Sequence, residues 1–333
     1  MPGIIENTDY TLTEEQKAHF LEHGYVKIPK CFTREQATEF TAKMWTRLGM
    51  DPDDKSTWIV EKHNMPWHHH VPVAEFSPKA WSAMCQLLGG EDKISDEPQY
   101  RSWSDGFIVN LGRPEYKPEE NLDLRNLDNW HNDGDFFVHF LDSPEQALLV
   151  IPLWSDIETK GGGTAVCGEG IKYIAQHLYD HPEGTTPWMR SLHDPTHASY
   201  EGREFWQELA WNKSKTSDES FHEATGEVGD VFLLHPLMLH SASKNLLRKV
   251  RIITNPPVSL KEPFCFDRAD PKEYSLVEQK TLKDLGTPNG IPGWKITSPR
   301  GPWRSNRIKK VEELRKKELE RLNGQPSAVV PFE

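Results

Sequence analysis

At 333 residues the chain is long enough to bury a sizeable core, as one large domain or two modest ones. Its 39 basic and 51 acidic residues leave a formal charge of -12, the wrong sign for gripping a nucleic-acid backbone and a poor match for the phosphates of an acyl-CoA. That balance suits a neutral or cationic small-molecule substrate.

The opening Met1-Pro2-Gly3-Ile4-Ile5-Glu6 has neither a basic stretch nor a long apolar run, and no segment approaches the roughly 20 apolar residues of a membrane span. Cys31, Cys85, Cys167 and Cys265 lie far apart with no paired spacing. Together these features predict a soluble, cytoplasmic chain with free thiols and no membrane partner.

Two capped helices open the chain. Thr13-x-x-Gln16 is a capping-box pattern and Gly24 a stop, and Tyr25-Val26-Lys27-Ile28 alternates like a short strand before Pro29. Thr33-x-x-Gln36 starts a second helix, with Ala37, Phe40, Met44 and Leu48 on one stripe and Gly49 after it. A third is expected over Ala80 to Leu88, closed by Gly89-Gly90.

From about residue 99 the texture changes to short strand-like runs: Gly106 to Leu111, Phe136 to Phe140, Ala147 to Trp154, Thr164 to Cys167, Val231 to Leu234 and Arg251 to Thr254. Short strands separated by turn signals predict a closed or sandwiched β core rather than βαβ units. Arg113 to Asn129 and Asp180 to Ser220 read as long polar connections. The tail is a charged helix with a narrow stripe, Ile308, Val311, Leu314, Leu319 and Leu322, ending at Gly324, with a slight lean toward a homodimer contact. The expected organisation is one domain, 1–333, with a helical part at 11–90, a β core at about 99–260 and a helical extension at about 270–325.

The chemistry concentrates in Trp130-His131-Asn132-Asp133-Gly134 and in His240 and Arg251. On a strand, residues two apart project to one face, so His131 and Asp133 can point together, and a distant second His completes two imidazoles and one carboxylate. That set holds one face of an octahedral Fe(II) and leaves the opposite face for chemistry. Arg251, eleven residues beyond His240, can pair bidentately with the far carboxylate of a small diacid on the metal. Asp135 and His235 are the internal competitors for the carboxylate and the distal imidazole, and Arg248 for the arginine.

Other clusters are weighed against ordinary structure. His68-His69-His70 cannot all face one metal, and with Pro66 and Pro72 beside them they read as a loop. Trp58, Trp67 and Trp130, among twelve tryptophans, fit either a pocket wall or simple core. Gly161-Gly162-Gly163 lacks the Gly-Lys-Ser/Thr ending of a phosphate loop and reads as a tight turn.

The phrases Trp-His-Asn-Asp-Gly (130–134), Gly-Asp-Val-Phe-Leu-Leu-His-Pro-Leu-Met-Leu-His-Ser-Ala-Ser-Lys-Asn (229–245) and the later Arg251 resemble the phytanoyl-CoA dioxygenase-like branch of the Fe(II)/2-oxoglutarate oxygenases. The opening Leu-Thr-Glu-Glu-Gln, Gly-Tyr-Val and Phe-Thr-Arg-Glu-Gln fit too, so the resemblance runs from about residue 11 to 256. It implies a mainly β chain with surrounding helices and a double-stranded β-helix (jelly-roll, cupin-like) core. It also implies Fe(II) on His131, Asp133 and His240, 2-oxoglutarate as cosubstrate on Arg251 with help from Thr164, and O2 as oxidant. The expected activity is oxidative tailoring of a small organic molecule, as in secondary metabolism.

The chain departs from the family where Cys167-Gly168-Glu169-Gly170 replaces the usual Pro-Gly-Ser-His phrase and where Asp128 stands in place of a Gln. Both changes spare the iron residues and leave the substrate open. The alternatives are a cupin-type iron dioxygenase that needs no keto-acid, and a non-catalytic β-barrel binding protein.

Overall fold

The computed structural model describes residues 10–303 and 307–324, with the side chains of 307–309 excluded. The Met1–Glu6 segment and the Ile308 side chain lie outside the described residues.

Helix α1 (Glu14–His23) begins on a complete capping box: Thr13 Oγ1 accepts from the Gln16 amide, and Gln16 returns a bond to the Thr13 amide. Gly24, at φ 75°, ends it and turns the chain into strand β1 (Tyr25–Ile28). A second capping box on Thr33 starts α2 (Arg34–Thr41), but the expected continuous helix breaks before α3 (Met44–Leu48). The hydroxyls of Thr38 and Thr41 bond back to the carbonyls of Arg34 and Ala37, a competition that loosens a helix near its end. After β2 (Lys62–Asn64) and β3 (His70–Pro72), a short α4 (Val73–Phe76) leads into α5 (Pro78–Leu88), which stops at Gly89 as expected.

The sheets follow: β4 (Ser102–Ser104), β5 (Ile108–Asn110), β6 (Leu148–Pro152), β7 (Thr164–Cys167) and, after α6 (Gly170–Asp180) and α7 (Glu204–Trp211), β8 (Phe221–Glu223). Then come β9 (Val231–Leu234), β10 (Leu239–Ala242), β11 (Arg251–Ile253) and β12 (Pro257–Val258), before α8 (Leu276–Asp284) and α9 (Arg307–Leu322). The strand orders are β1-β9-β6-β12, β10-β7-β8, β11-β5-β2 and β3-β4, and every pairing is antiparallel.

Strands β6, β7 and β9 are buried along their whole length, which is why they read as unbroken apolar runs rather than alternating ones. The fold mixes helices with antiparallel sheets; among the described residues more of the chain is helical than extended, so "mainly β" is met only in part. No helix among the described residues is long and apolar enough to cross a membrane.

Two local expectations are corrected, and the tail helix is observed. Phe136 to Phe140 is no strand: Phe137 and His139 make only isolated bridges, to Pro302 and Thr185, although Phe137, Val138, His139 and Phe140 are all buried. The polar stretch Asp180 to Ser220 contains helix α7, whose Trp206, Leu209 and Ala210 are buried. In the tail helix Leu314 is buried while Leu319 is 43% exposed, so the stripe is already partly used within the chain. All four cysteines are free thiols.

Candidate metal centre

The two histidines are set opposite each other by backbone pairing. His131 N donates to His240 O at 2.9 Å and His240 N to His131 O at 3.0 Å, a closed antiparallel bridge that puts both rings on one side. The ring centroids are 4.2 Å apart. His240 belongs to β10, where it lies opposite Val166 of β7, so Thr164, two residues before Val166, shares its face.

Asp133 does not reach the site along a regular strand, as its spacing from His131 predicts. The chain bends after the His131 bridge, and Gly134 follows at φ 115°. A Cβ on Gly134 would meet Phe137 Cε1 at 2.6 Å and His139 Cε1 at 2.7 Å, so only glycine allows this bend.

The side chains are aimed by their other ring atoms. His131 Nδ1 lies 2.7 Å from Asn129 O, and His240 Nδ1 3.0 Å from Met238 O. A carbonyl only accepts, so each Nδ1 carries the hydrogen, and each ring in its neutral form offers its lone pair at Nε2. Both Nε2 atoms face the same carboxylate, His131 at 3.4 Å from Asp133 Oδ1 and His240 at 3.5 Å from Oδ2. These separations are long for hydrogen bonds. They match ligands that share one cation, since donors each about 2.1 Å from a metal sit about 3 Å apart. One donor atom from each residue falls within 4.8 Å of the others.

Electrostatics agree with the geometry. Burial alone would raise the Asp133 carboxyl, yet His240 and His131 hold it well below the carboxylate range. Burial and the neighbouring His240 push the His131 imidazole down. Burial would also lower His240, but the facing Asp133 carboxylate lifts it above its ordinary value. His131 and Asp133 keep 24% and 23% of their side chains open to solvent, whereas His240 keeps 9%, so the cluster has a mouth on the His131–Asp133 side.

Arg251 is buried at the start of β11, 3% exposed. Its Nη2 donates to Thr164 Oγ1 at 3.1 Å and its Nη1 to Ile108 O at 3.3 Å, while Nε has no protein partner. Burial pulls this guanidinium down to about 10, against the attraction of Glu223, so it remains a cation at neutral pH. Glu223 accepts the amides of Lys160 and Gly163 and the Ser243 hydroxyl, pinning the glycine turn beside Thr164. Arg251 and Thr164 are thus joined by a hydrogen bond.

The competitors lie elsewhere. His235 is a satisfied core residue: its Nε2 lies 2.9 Å from Thr281 Oγ1, and burial drives it down to about 3. Asp135 is outside the convergent trio. Arg248 lies over the Trp58 ring and donates to Lys55 O. Trp130 is fully buried with its indole donating to Arg125 O, and Trp58 stacks on Trp45 at 5.6 Å.

Two residues at this site escaped sequence reasoning. Lys62 of β2 and Arg251 both stand opposite Asn110 of β5, so two cations flank one row of the sheet; three strands distant in sequence hide that register. Asn255 donates its side-chain amide to Asp133 Oδ2. It follows the apolar run that seemed to end at Thr254, and lone asparagines carry no sequence signal.

No family model matches the chain, and no curated protein is similar to it. Among solved structures, HygX from Streptomyces hygroscopicus with nickel and 2-oxoglutarate bound is 12% identical over 78% of this chain and 91% of that one, with a TM-score of 0.41. The non-heme alpha ketoglutarate dependent carbocyclase SnoK from nogalamycin biosynthesis is 18% identical over 88% of this chain and 97% of its own, at a TM-score of 0.39. EvdO2 from Micromonospora carbonacea var. aurantiaca is 12% identical over 79% and 97% of the two chains, at 0.35. Likeness this distant fixes neither the fold nor the chemistry of this chain.

Proposed function

We propose that the chain is a non-haem Fe(II)/2-oxoglutarate-dependent oxygenase that oxidises a small organic molecule in oxidative tailoring. The observation that carries this reading is the convergence of two Nε2 lone pairs on one carboxylate, with each Nδ1 tied to a carbonyl. Two imidazoles and one carboxylate are the donors of a facial Fe(II) site with open positions.

His131, Asp133 and His240 would hold the iron, and Arg251 with Thr164 would bind the distal carboxylate of 2-oxoglutarate. The orphaned, buried Arg251 Nε supports an anionic guest, since a buried guanidinium donor without an acceptor is costly. When bound, iron and 2-oxoglutarate supply oxygen activation, with succinate and CO2 as coproducts. The protein's own part is to fix the donors, hold the diacid by its far end and keep the His240 side closed to water.

The chain is read as a single oxygenase domain on a jelly-roll core, a reading the all-antiparallel pairing supports. Its substrate is taken to be neutral or cationic, in keeping with the net charge of -12. Cytoplasmic residence fits the four free thiols. A keto-acid-independent dioxygenase would leave the buried Arg251–Thr164 pair without a task.

The test is anaerobic titration of the apo-protein with Fe(II), then 2-oxoglutarate, followed in the visible. A weak charge-transfer band that needs both components is expected. Iron binding without a band would overturn the keto-acid assignment, and absence of iron binding would overturn the enzyme reading.

A further inference from the structure

We propose that Asn255 is a positioning residue that fixes Asp133 as a one-oxygen ligand, by occupying the carboxylate's second oxygen with its amide. The proposal rests on the reading above, in which His131, Asp133 and His240 hold Fe(II).

A carboxylate on a bent loop has two equivalent oxygens and a freely turning terminal torsion. Left alone it can present one oxygen, present both, or turn to hydrogen-bond an imidazole. Here the symmetry is broken, because Asn255 Nδ2 donates to Oδ2, while Oδ1 faces His131 Nε2 at 3.4 Å. Amide donation to a carboxylate oxygen is charge-assisted, so it holds the group strongly in one orientation. Oδ2 also faces His240 Nε2 at 3.5 Å, so Oδ1, on the His131 side, is the oxygen that carries no amide bond.

The backbone holds Asn255 in turn. Thr254 accepts from Trp154 Nε1 at 3.0 Å, so it points into the core, and Asn255, the next residue, projects to the other side. Pro256 follows and confines Asn255 to extended backbone. β12 then begins at Pro257 and pairs with β6, closing the segment from its far end. One stretch, 251–255, therefore carries both the arginine for the diacid and the anchor of the metal carboxylate. The Asn255 side chain is itself exposed. Its removal should leave packing untouched.

The experiment compares Fe(II) affinity of the wild-type chain, Asn255→Ala and Asn255→Gln by anaerobic titration, with apo-protein melting recorded for each. Asn255→Ala is expected to bind Fe(II) about tenfold more weakly, the scale typical of groups that orient metal ligands, without a change in apo-protein melting. With 2-oxoglutarate added, its charge-transfer band should move, because the donor strength of Asp133 changes when the amide is gone. Equal affinity and an unmoved band in Asn255→Ala would overturn the proposal while leaving the iron site standing. Should Asn255→Ala also melt early, Asn255→Gln decides: recovery of affinity by the longer amide supports a positioning role, and no recovery overturns it. A wild-type chain that binds no Fe(II) would fail the underlying reading instead, an outcome visible before any variant is made.

Discussion

Two buried clusters in this chain join histidine to carboxylate, and they are built differently. At His131, Asp133 and His240, two imidazole nitrogens face one carboxylate across 3.4 and 3.5 Å, with no cationic side chain in the trio. Around Glu318 the same residue types meet Arg47, whose Nε donates to Glu318 Oε2 at 2.9 Å and whose Nη1 donates to Asp105 Oδ2 at 3.0 Å. His68 Nε2 lies 3.1 Å from Glu318 Oε2, and the His68 and His69 amides both donate to Asp105 Oδ1. The second cluster brings its own cation, Arg47, and fastens helix α9 and the loop at 66–70 to α3. The first turns two imidazole nitrogens and a carboxylate toward one another without an arginine or lysine among them. A histidine-rich look therefore says less than the presence or absence of an internal counter-charge.

The largest effect expected from this contrast is on metal binding. His240→Ala should weaken Fe(II) binding by more than about 100-fold, because a first ligand counts for more than the groups that orient it. His68→Ala should leave Fe(II) binding unchanged. Parallel titrations of the two variants check the pair, and metal loss in His68→Ala would erase the distinction between the clusters. Arg251→Ala comes next: it should leave Fe(II) binding intact and weaken 2-oxoglutarate by about 2–5 kcal/mol, the range for removing one partner of a buried charge pair. The band intensity against 2-oxoglutarate concentration measures it.

The pH response sharpens the contrast from the proton's side. Against burial, Asp133 lifts His240 above its ordinary value of 6.5, and on the proposed reading iron would have to displace that proton. Fe(II) affinity should therefore rise with pH, and go on rising above the ordinary imidazole value of 6.5, because the proton on His240 is held more tightly than usual. Titration at several pH values checks it, and a flat profile would mean that His240 gives up no proton to the metal.

Much of this was legible in the sequence because it depends on local chemistry. The boxes at Thr13 and Thr33, the stops at Gly24 and Gly89, and the strands Thr164–Cys167 and Val231–Leu234 stand where propensity and capping put them. So does the grouping of His131, Asp133 and His240, although the route is a bridge and a glycine bend rather than a strand. What stayed hidden depends on register between distant strands, as for Lys62 beside Arg251, or on a single polar contact, as for Asn255. The His68-His69-His70 run was legible as a loop, but the partner of His68, Glu318, lies 250 residues away.

The smallest effect belongs to the self-contained cluster. Burial raises the Glu318 carboxyl from 4.5 to about 7, against the pull of Arg47. The folded chain thus keeps a proton there that the unfolded chain releases near 4.5. Below that value both states are protonated and the contribution is whole; as pH rises through about 7 the folded state ionises too and the contribution is gone. Glu318→Gln keeps the shape and removes the titration, so its stability should lose this decline between pH 4.5 and about 7. Denaturant midpoints of both chains across that window check it. A wild-type chain that gains stability there relative to Glu318→Gln would mean that Arg47 wins over burial, and that this cluster, like the metal centre, is governed by its charges rather than by its dryness.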